Sequence, residues 1–276
     1  MELKIKQQAA AAFSANLNLD VVVLNLWHEG EIDHVRYIKL PRSIAPVNYF
    51  KYLFRRYALI ESSLNLEQYD YLILRYLLAD RTGLAFTEKY NVIMEHHAKE
   101  PLELRAQIKT KAGSSAVERI ARRLILFLEL RYGTAVLRNC KGIIATNNTV
   151  RQFQETRIIP KQVPTIAIGN GADVANIPIT GFKAFDSKQL DLVFLLSRLQ
   201  LWQGLERIIL SINAYQGDVK IGLHVLGNVR AEEVTISDLS KVRFYGPQTG
   251  EALDRILASM NLGISTLALY KRIWMK

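Results

Sequence analysis

Residues Leu195–Ile209, LLSRLQLWQGLERII, contain the pattern that decides the fold. The preceding residues and the start of this stretch, Leu190–Leu196, form a continuous apolar run, which is typical of a strand covered on both faces of a parallel sheet. Apolar residues then recur at helical spacing, at Leu205, Ile208, Ile209 and Ile212. A strand that passes through a short loop into a helix is the repeating unit of α/β proteins.

The same alternation extends along the chain in both directions. Further apolar runs predict strands at Val21–Leu24, Tyr71–Leu74, Asn91–Met94, Gly142–Ala145, Thr165–Ile168, Ile221–Leu226, Val242–Tyr245 and Leu262–Ser265. Helical periods separate several of them, at residues 2–15, 117–128 and 253–260. We therefore predict an α/β protein with parallel sheets.

One segment, Gly169–Gly181, interrupts this alternation with three glycines and a proline and has no clear period. Such composition is typical of a linker between domains. We predict two Rossmann-like domains, residues 1–171 and 172–276, with the segment as their hinge.

Composition limits the class of protein. The chain has 276 residues, of which 49% are hydrophobic and 22% charged, and this favours a globular protein with a core over a disordered one. The single cysteine, Cys140, cannot form an internal disulfide, and we expect it to be a small buried apolar side chain. No stretch reaches the ~20 apolar residues of a membrane span, and no signal peptide is apparent, so we predict a cytoplasmic protein.

The loop between the strand and helix of the opening stretch is the first candidate site. Arg198 follows the strand at the end where open parallel sheets bind ligands. The helix that begins near Gly204 presents unpaired N–H groups, which suit a phosphate. An arginine can grip a diphosphate with its fork of donors, although an arginine paired at the surface would explain the same residue.

Two further stretches follow predicted strands. Asn170 and Gly171 lie in a turn where glycine permits close backbone approach to a ligand, but an ordinary turn has the same composition. His96 and His97 are adjacent, so on extended backbone they face opposite ways and bind one metal poorly. One of them could bond a substrate hydroxyl or phosphate, and the other could be a structural histidine.

In this order the motifs resemble the family-4, retaining glycosyltransferases of GT-B fold. The matching segments are the histidine loop after a first-domain strand, Gly142–Asn147 before a helix, Asn170–Asp173 after a strand, Ser197–Leu199 with Gln203–Gly204, and Val242–Gly246. The resemblance runs from about residue 20 to residue 266. It implies two Rossmann-like domains facing across a cleft.

The resemblance also implies roles for these residues. Arg198 would bind the donor diphosphate and stabilise the leaving group, with Gln203, Gly204 and Gly246 nearby. His96 or His97 would lie near the transferred sugar, and Asn170 and Gly171 would bind the donor at the hinge. The implied activity is hexosyl transfer with retention in polysaccharide biosynthesis, from a nucleotide sugar to a glycan or lipid-linked acceptor, without cofactor or essential metal.

Departures from the family pattern are equally specific. Gln203 stands where the family usually has a lysine. Residues 202–204, Trp-Gln-Gly, resemble the Trp-His-Gly variant of some bacterial members, so the change need not abolish donor binding. The family's first strand, with its glycine turn, has no counterpart here. Its pair of donor-binding glutamates is also missing, because Glu251 is followed at the corresponding spacing by Ser259. We expect a chain truncated at both ends, with an incomplete second domain, that is weak or inactive as it stands.

The net charge of +10 favours partners that carry phosphate. Arginines in first-domain helices could rest on anionic lipid at the inner membrane face if they share a side, whereas solvated helix faces are the alternative; they are Arg55, Arg56, Arg119, Arg122, Arg123 and Arg131. Nucleic acid is not expected as a partner, because no helix-turn-helix, zinc or aromatic-interleaved motif is present.

Other functions fit less well. A non-catalytic nucleotide- or sugar-binding module remains the main alternative, because Gln203 and the absent glutamate pair both argue against turnover. A serine hydrolase is disfavoured by the lack of Gly-x-Ser-x-Gly, and a Rossmann dehydrogenase by the lack of Gly-x-Gly-x-x-Gly after a strand.

Overall fold

The computed structural model describes residues 2–25, 29–39, 55–110, 116–169, 171, 185–199 and 203–265. The chain forms two compact units, Met1–Val174 and Ala175–Lys276. Most of the predicted linker and the tail after residue 265 lie outside the described residues.

The first unit is built on a four-stranded parallel sheet of order β4-β5-β6-β7. A separate three-stranded sheet has the order β1-β3-β2. The strands are β1 (Val21–Asn25), β2 (Gly30–Ile32), β3 (Val35–Lys39), β4 (Leu72–Arg75), β5 (Val92–His96), β6 (Gly142–Ala145) and β7 (Thr165–Ala167). The helices are α1 (Glu2–Ser14), α2 (residues 55–63), α3 (Arg81–Lys89), α4 (Glu100–Thr110), α5 (Ala116–Asn139) and α6 (Asn148–Ile158).

Capping side chains and alternating burial fix these elements. Asp80 accepts a hydrogen bond from the backbone N–H of Gly83 and so starts α3, and Asn147 starts α6 in the same way through Val150. On β5, Val92 and Met94 are fully buried in the core that α5 covers. Burial of each such side chain contributes about 1.5–3 kcal/mol.

The second unit contains one parallel sheet of order β10-β9-β8-β11. Its elements are β8 (Gln189–Arg198), α7 (Leu205–Ala214), β9 (Lys220–Asn228), β10 (Val242–Gly246), α8 (Gly250–Ala258) and β11 (Leu262–Ile264). The apolar side of α7 packs on alternate residues of β8, among them Phe194 and Leu196. This produces the helical period and the strand that the opening stretch predicts.

The predicted fold class is confirmed: both units are α/β with parallel, Rossmann-like sheets, and every predicted strand is present. One expectation is wrong, because β1 is only half-buried and pairs with β3 outside the four-stranded sheet. The β2–β3 hairpin is not predicted from the sequence. Its turn residues, Asp33 and His34, have φ of 52° and 62°, and such turns are usually recognised by Asn-Gly or Asp-Gly.

Candidate functional site

The first part of the candidate site is the carboxyl edge of the second sheet. Strand β8 ends at Arg198, paired with Asn228 at the end of β9, and β10 ends at Gly246. From β8 the chain crosses to β9 and β10 on one side, whereas β11 pairs with β8 on the other. Open parallel sheets bind ligands at such a switch point, outside the carboxyl ends of the strands.

Gly204 determines how the chain turns from this edge into α7. It is buried and has φ of 80°, a left-handed conformation that costs a residue with a side chain about 1–2 kcal/mol. The helix begins at Leu205, and the N–H groups of a helix's first turn have no acceptor within the helix. Gln203 lies directly before this turn, half-buried. The carboxyl edge therefore adjoins a set of backbone donors suited to an anion.

The sequence-predicted residues are only partly brought together. Arg198, Gln203, Gly204 and Gly246 belong to the carboxyl edge of one sheet and the turn that follows it, although only the backbone of Arg198 is described. Gly171 is exposed, and Asn170 lies outside the described residues.

The second part of the site is at the end of β5, where the two histidines differ. His96 is fully buried, and its Nδ1 atom lies 3.1 Å from Glu100 Oε2. The His97 side chain is 22% exposed, but its Nε2 atom is buried 2.9 Å from Glu95 Oε1, in directions that do not make a hydrogen bond. Of the pair, His97 is thus the one that solvent reaches.

A buried polar network surrounds His96. Gln154 on α6 donates through Nε2 to Glu100 Oε2 at 3.0 Å, and the same Nε2 atom lies 3.0 Å from His96 Nδ1. Arg157 Nη1 donates to Gln154 Oε1 at 2.8 Å. Because arginine has only donors, it fixes the amide of Gln154 with its nitrogen toward His96.

Glu129 of α5 anchors the far end of this network. Its carboxylate is fully buried and accepts hydrogen bonds from the hydroxyl of Tyr76 at 2.8 Å and the backbone N–H of Ala79 at 2.5 Å. Arg157 Nη2 donates to it at 2.5 Å. Gly133 makes room, because a Cβ there would lie 2.4 Å from Arg157 Nη2. The charge of Glu129 is therefore paired and hydrogen-bonded, as a buried carboxylate requires.

Electrostatics follow from this packing. Burial, and then the charge of Glu129, raise the pKa of Tyr76 well above its usual value, so it remains a hydrogen-bond donor. Burial lowers the pKa of Arg157, but Tyr76 and Glu129 outweigh that effect and the net pKa is raised. The ring of Tyr76 lies 4.3 Å from that of His96, centroid to centroid. The Nε2 atom of His96 is buried without a hydrogen-bond partner among the described residues.

Sequence reasoning missed this network. Its members come from β5, α4, α5, α6 and the loop after β4. Only the spacing of Ala121, Ile125 and Glu129 on one face of α5 offers a signal. A glutamate in register with buried apolar residues must have partners, and that rule could have marked Glu129.

An open cavity of about 550 Å³ lies elsewhere, at the amino-terminal side of the second sheet. Within it, His224 bridges Asp191 and Tyr245: its Nε2 atom lies 3.3 Å from Asp191 Oδ1 and its Nδ1 atom 2.9 Å from the Tyr245 hydroxyl. Gln189 also donates to Asp191. These four groups are bonded to one another, and the cavity lies at the opposite edge of the sheet from the predicted donor site.

No group of three or more His, Cys, Asp or Glu side chains in the described part of the chain is arranged to hold a metal ion. The lone cysteine, Cys140, is buried as predicted, and burial raises the pKa of its thiol to about 12.

No protein-family model and no curated protein matches the chain. Among solved structures it is similar to the apo form of the lipopolysaccharide outer core galactosyltransferase WaaB, at 11% identity and a TM-score of 0.45, over 84% of this chain and 58% of that one. It is also similar to a ugt transferase from Siraitia grosvenorii in complex with UDP, at 11% identity and a TM-score of 0.42, over 95% of this chain and 67% of that one. A third similar structure is the Glycosylation Associate Protein (Gap123) complex from Streptococcus agalactiae, at 15% identity and a TM-score of 0.33, over 83% of this chain and 43% of that one.

These structures are described as glycosyltransferases or a glycosylation-associated complex. The chain spans 58% of the first and 43% of the Gap123 chain. Such identities and TM-scores assign no function or site residue to this chain, and its parallel-sheet fold is established by its own strand pairing.

Proposed function

We propose that this chain forms part of a glycosyltransferase that moves a sugar from a nucleoside-diphosphate sugar to a glycan or lipid-linked acceptor. The observation that carries the proposal is the convergence of Arg198, Gly204 and Gly246 on the carboxyl edge of the second sheet. The topological switch point, where open parallel sheets bind nucleotides, lies at that edge between β8 and β11.

The donor would bind through its diphosphate. The first-turn N–H groups of α7 supply aligned partial positive charge, and Arg198 supplies a full one. When the bond to the sugar breaks, negative charge grows on the leaving diphosphate, and the same donors stabilise it. Neither role needs a metal ion, so we propose metal-independent transfer, with retention as the family resemblance implies.

The two histidines would have different tasks. The side chain of His97 is partly exposed, but its Nε2 atom is buried beside Glu95, so a sugar hydroxyl would bond its other ring nitrogen, Nδ1. His96 is enclosed by Glu100, Gln154 and Tyr76, so its task would be to hold the end of β5 and the turn that carries His97. The sequence alone treats the two as equivalent, and burial separates them.

A non-catalytic nucleotide- or sugar-binding module is the second candidate. The complete burial of His96 favours it, because a histidine with no exposed surface cannot itself contact a substrate. Gln203 favours it as well, since the charge of a lysine on the diphosphate is missing.

Calorimetric titration with UDP and GDP, with and without magnesium, tests the proposal. We expect magnesium-independent binding that Arg198→Ala weakens at least tenfold, since a charged hydrogen-bonding partner is worth ~1.5–3 kcal/mol. Arg255→Ala is the matched control, because Arg255 is exposed on α8 and pairs with Glu251. The proposed donor site would be contradicted if neither nucleotide binds, or if Arg198→Ala leaves the affinity unchanged.

Transfer separates the two candidates. If the chain binds a nucleotide but transfers sugar from UDP- and GDP-sugars neither to water nor to added acceptors, it is a binding module. Sugar release that His97→Ala abolishes while nucleotide affinity is unchanged would support the transferase.

A further inference from the structure

The outward side of α5 has an unusual composition. In the part of α5 between residues 119 and 139, where burial is described at every position, seven residues are exposed. Four are large and apolar, and we call them the α5 stripe: Ile120, Leu124, Phe127 and Leu130, exposed by 65%, 41%, 63% and 56%. The other three are Arg119, Arg123 and Arg131. Every exposed residue of this stretch is therefore either apolar or cationic.

Helical geometry places these residues on one side. Their spacings of three and four residues put the stripe on a single face. The opposite face, with Ala121, Ile125 and Glu129, is buried where α5 packs on α3, α4 and α6. The helix is thus apolar on two sides, and within the described residues only one of them has a partner. Contiguous apolar patches of this kind mark interaction sites on soluble proteins.

We propose that the α5 stripe docks on the surface of a bilayer containing anionic lipid, with α5 lying in the plane of the interface. The apolar side chains would enter the boundary of headgroups and acyl chains, and the three arginines would meet lipid phosphates. No helix in the described part of the chain is long and apolar enough to cross a bilayer.

Charge distinguishes this partner from a second copy of the chain. Two copies meeting at their stripes would bring six arginines together, and the described exposed residues of the helix include no carboxylate to offset them. An anionic bilayer supplies both the apolar phase and the opposite charge. The net charge of +10 acts in the same direction.

Not all the arginines considered from the sequence belong to this surface. Arg56 pairs with Asp80 at 3.0 Å and donates to the carbonyl of Leu78, with only 10% of its side chain exposed. It stabilises the start of α3 and therefore does not belong to the lipid-facing group considered from the sequence.

Cosedimentation of the full chain with vesicles tests the proposal. We expect binding to phosphatidylcholine vesicles that contain one third phosphatidylglycerol, weakening with salt, and no binding to phosphatidylcholine alone. Leu124→Ser with Phe127→Ser should weaken binding at least tenfold. Leu210→Ser, at an equally exposed leucine on α7, is the matched control and should leave it unchanged.

Charge variants give an independent result. Arg123→Gln and Arg131→Gln should each weaken binding about fivefold, since each arginine near an anionic surface contributes that much. The Arg207→Gln variant on α7 should not. Unchanged vesicle binding in the stripe variants would overturn the proposal, and so would a dimer in analytical ultracentrifugation that Phe127→Ser dissociates. No nucleotide is present in these assays, so their outcome is independent of the proposed sugar transfer.

Discussion

Glu129→Gln is the most informative single change in the first unit. It keeps the side-chain shape but removes the charge that balances Arg157 in the interior. One carboxylate oxygen accepts from Tyr76 and Ala79 and the other from Tyr76 and Arg157, so the new NH₂ group faces a donor in either orientation. Breaking a buried ion pair from one side costs about 3–5 kcal/mol. Because Arg157 keeps its bond to Gln154, we expect the lower end, about 3 kcal/mol.

The measurement must report on the first unit alone, since two compact units can unfold separately. Hydrogen exchange of α5 and α6 amides in increasing urea gives the free energy of opening for that unit. Glu155→Gln is the control: Glu155 pairs with Arg151 on the same α6 helix but is exposed, so its loss should cost under about 0.5 kcal/mol.

A double variant refines this test. Glu129→Leu with Arg157→Met removes both charges and should cost less than the two single changes together. If Glu129→Gln lowers the stability of α5 and α6 by less than about 1 kcal/mol, the network does not hold the first unit together, and the proposed support of His96 loses its basis.

Three further changes have definite expected outcomes. Gly227→Ala should cost at least about 3 kcal/mol or prevent folding, because its Cβ would lie 1.5 Å from the carbonyl oxygen of Leu196, whereas Gly263→Ala, with no atom within 4 Å, should be tolerated in thermal unfolding. The pKa of Cys140 is raised from 9.0 to about 12 in the folded state, so its contribution to stability is complete below pH 9 and is lost between pH 9 and 12. In urea unfolding, the free energy of the parent chain should fall across that range, and Cys140→Ala should make the fall less steep by up to about 1.4 kcal/mol per pH unit. Gly204→Ala should cost about 1–2 kcal/mol in thermal unfolding and weaken UDP or GDP binding in calorimetry, because the left-handed turn before α7 disfavours a side chain.

The sequence predicts the second unit well because its signals are local. Strand β8 and helix α7 each have the periodicity of their own element, and in a parallel sheet every strand ends at the same edge. Knowing the strands is therefore enough to place Arg198 and Gly246 together. Gly204 follows from the same stretch, since a helix that begins directly after a tight turn favours glycine there.

The first unit is harder because its decisive contacts are distant in sequence. Glu129 meets Tyr76 across 53 residues, and Gln154 meets His96 across 58. No spacing rule connects these pairs, and among the four residues only Glu129, which shares a face of α5 with buried apolar residues, stands out in the sequence. The β2–β3 hairpin is missed for a local reason, since Asp33 and His34 adopt positive φ without the glycine that usually announces it.

In the proposed transferase, the burial of His96 leaves His97 as the histidine that can meet the substrate. A catalytic histidine needs a nitrogen that substrate can approach, and His96 directs one nitrogen at Glu100 while the other is enclosed. Gln154 and Arg157, both on α6, hold the ring of His96 through hydrogen bonds. We therefore expect a substitution at either residue to shift the end of β5. His97 is joined to that end by a single peptide bond and has the exposed surface. The polar network and the proposed substrate contact therefore involve different histidines. The network fixes His96, and the position of His96 sets the backbone position from which the side chain of His97 extends.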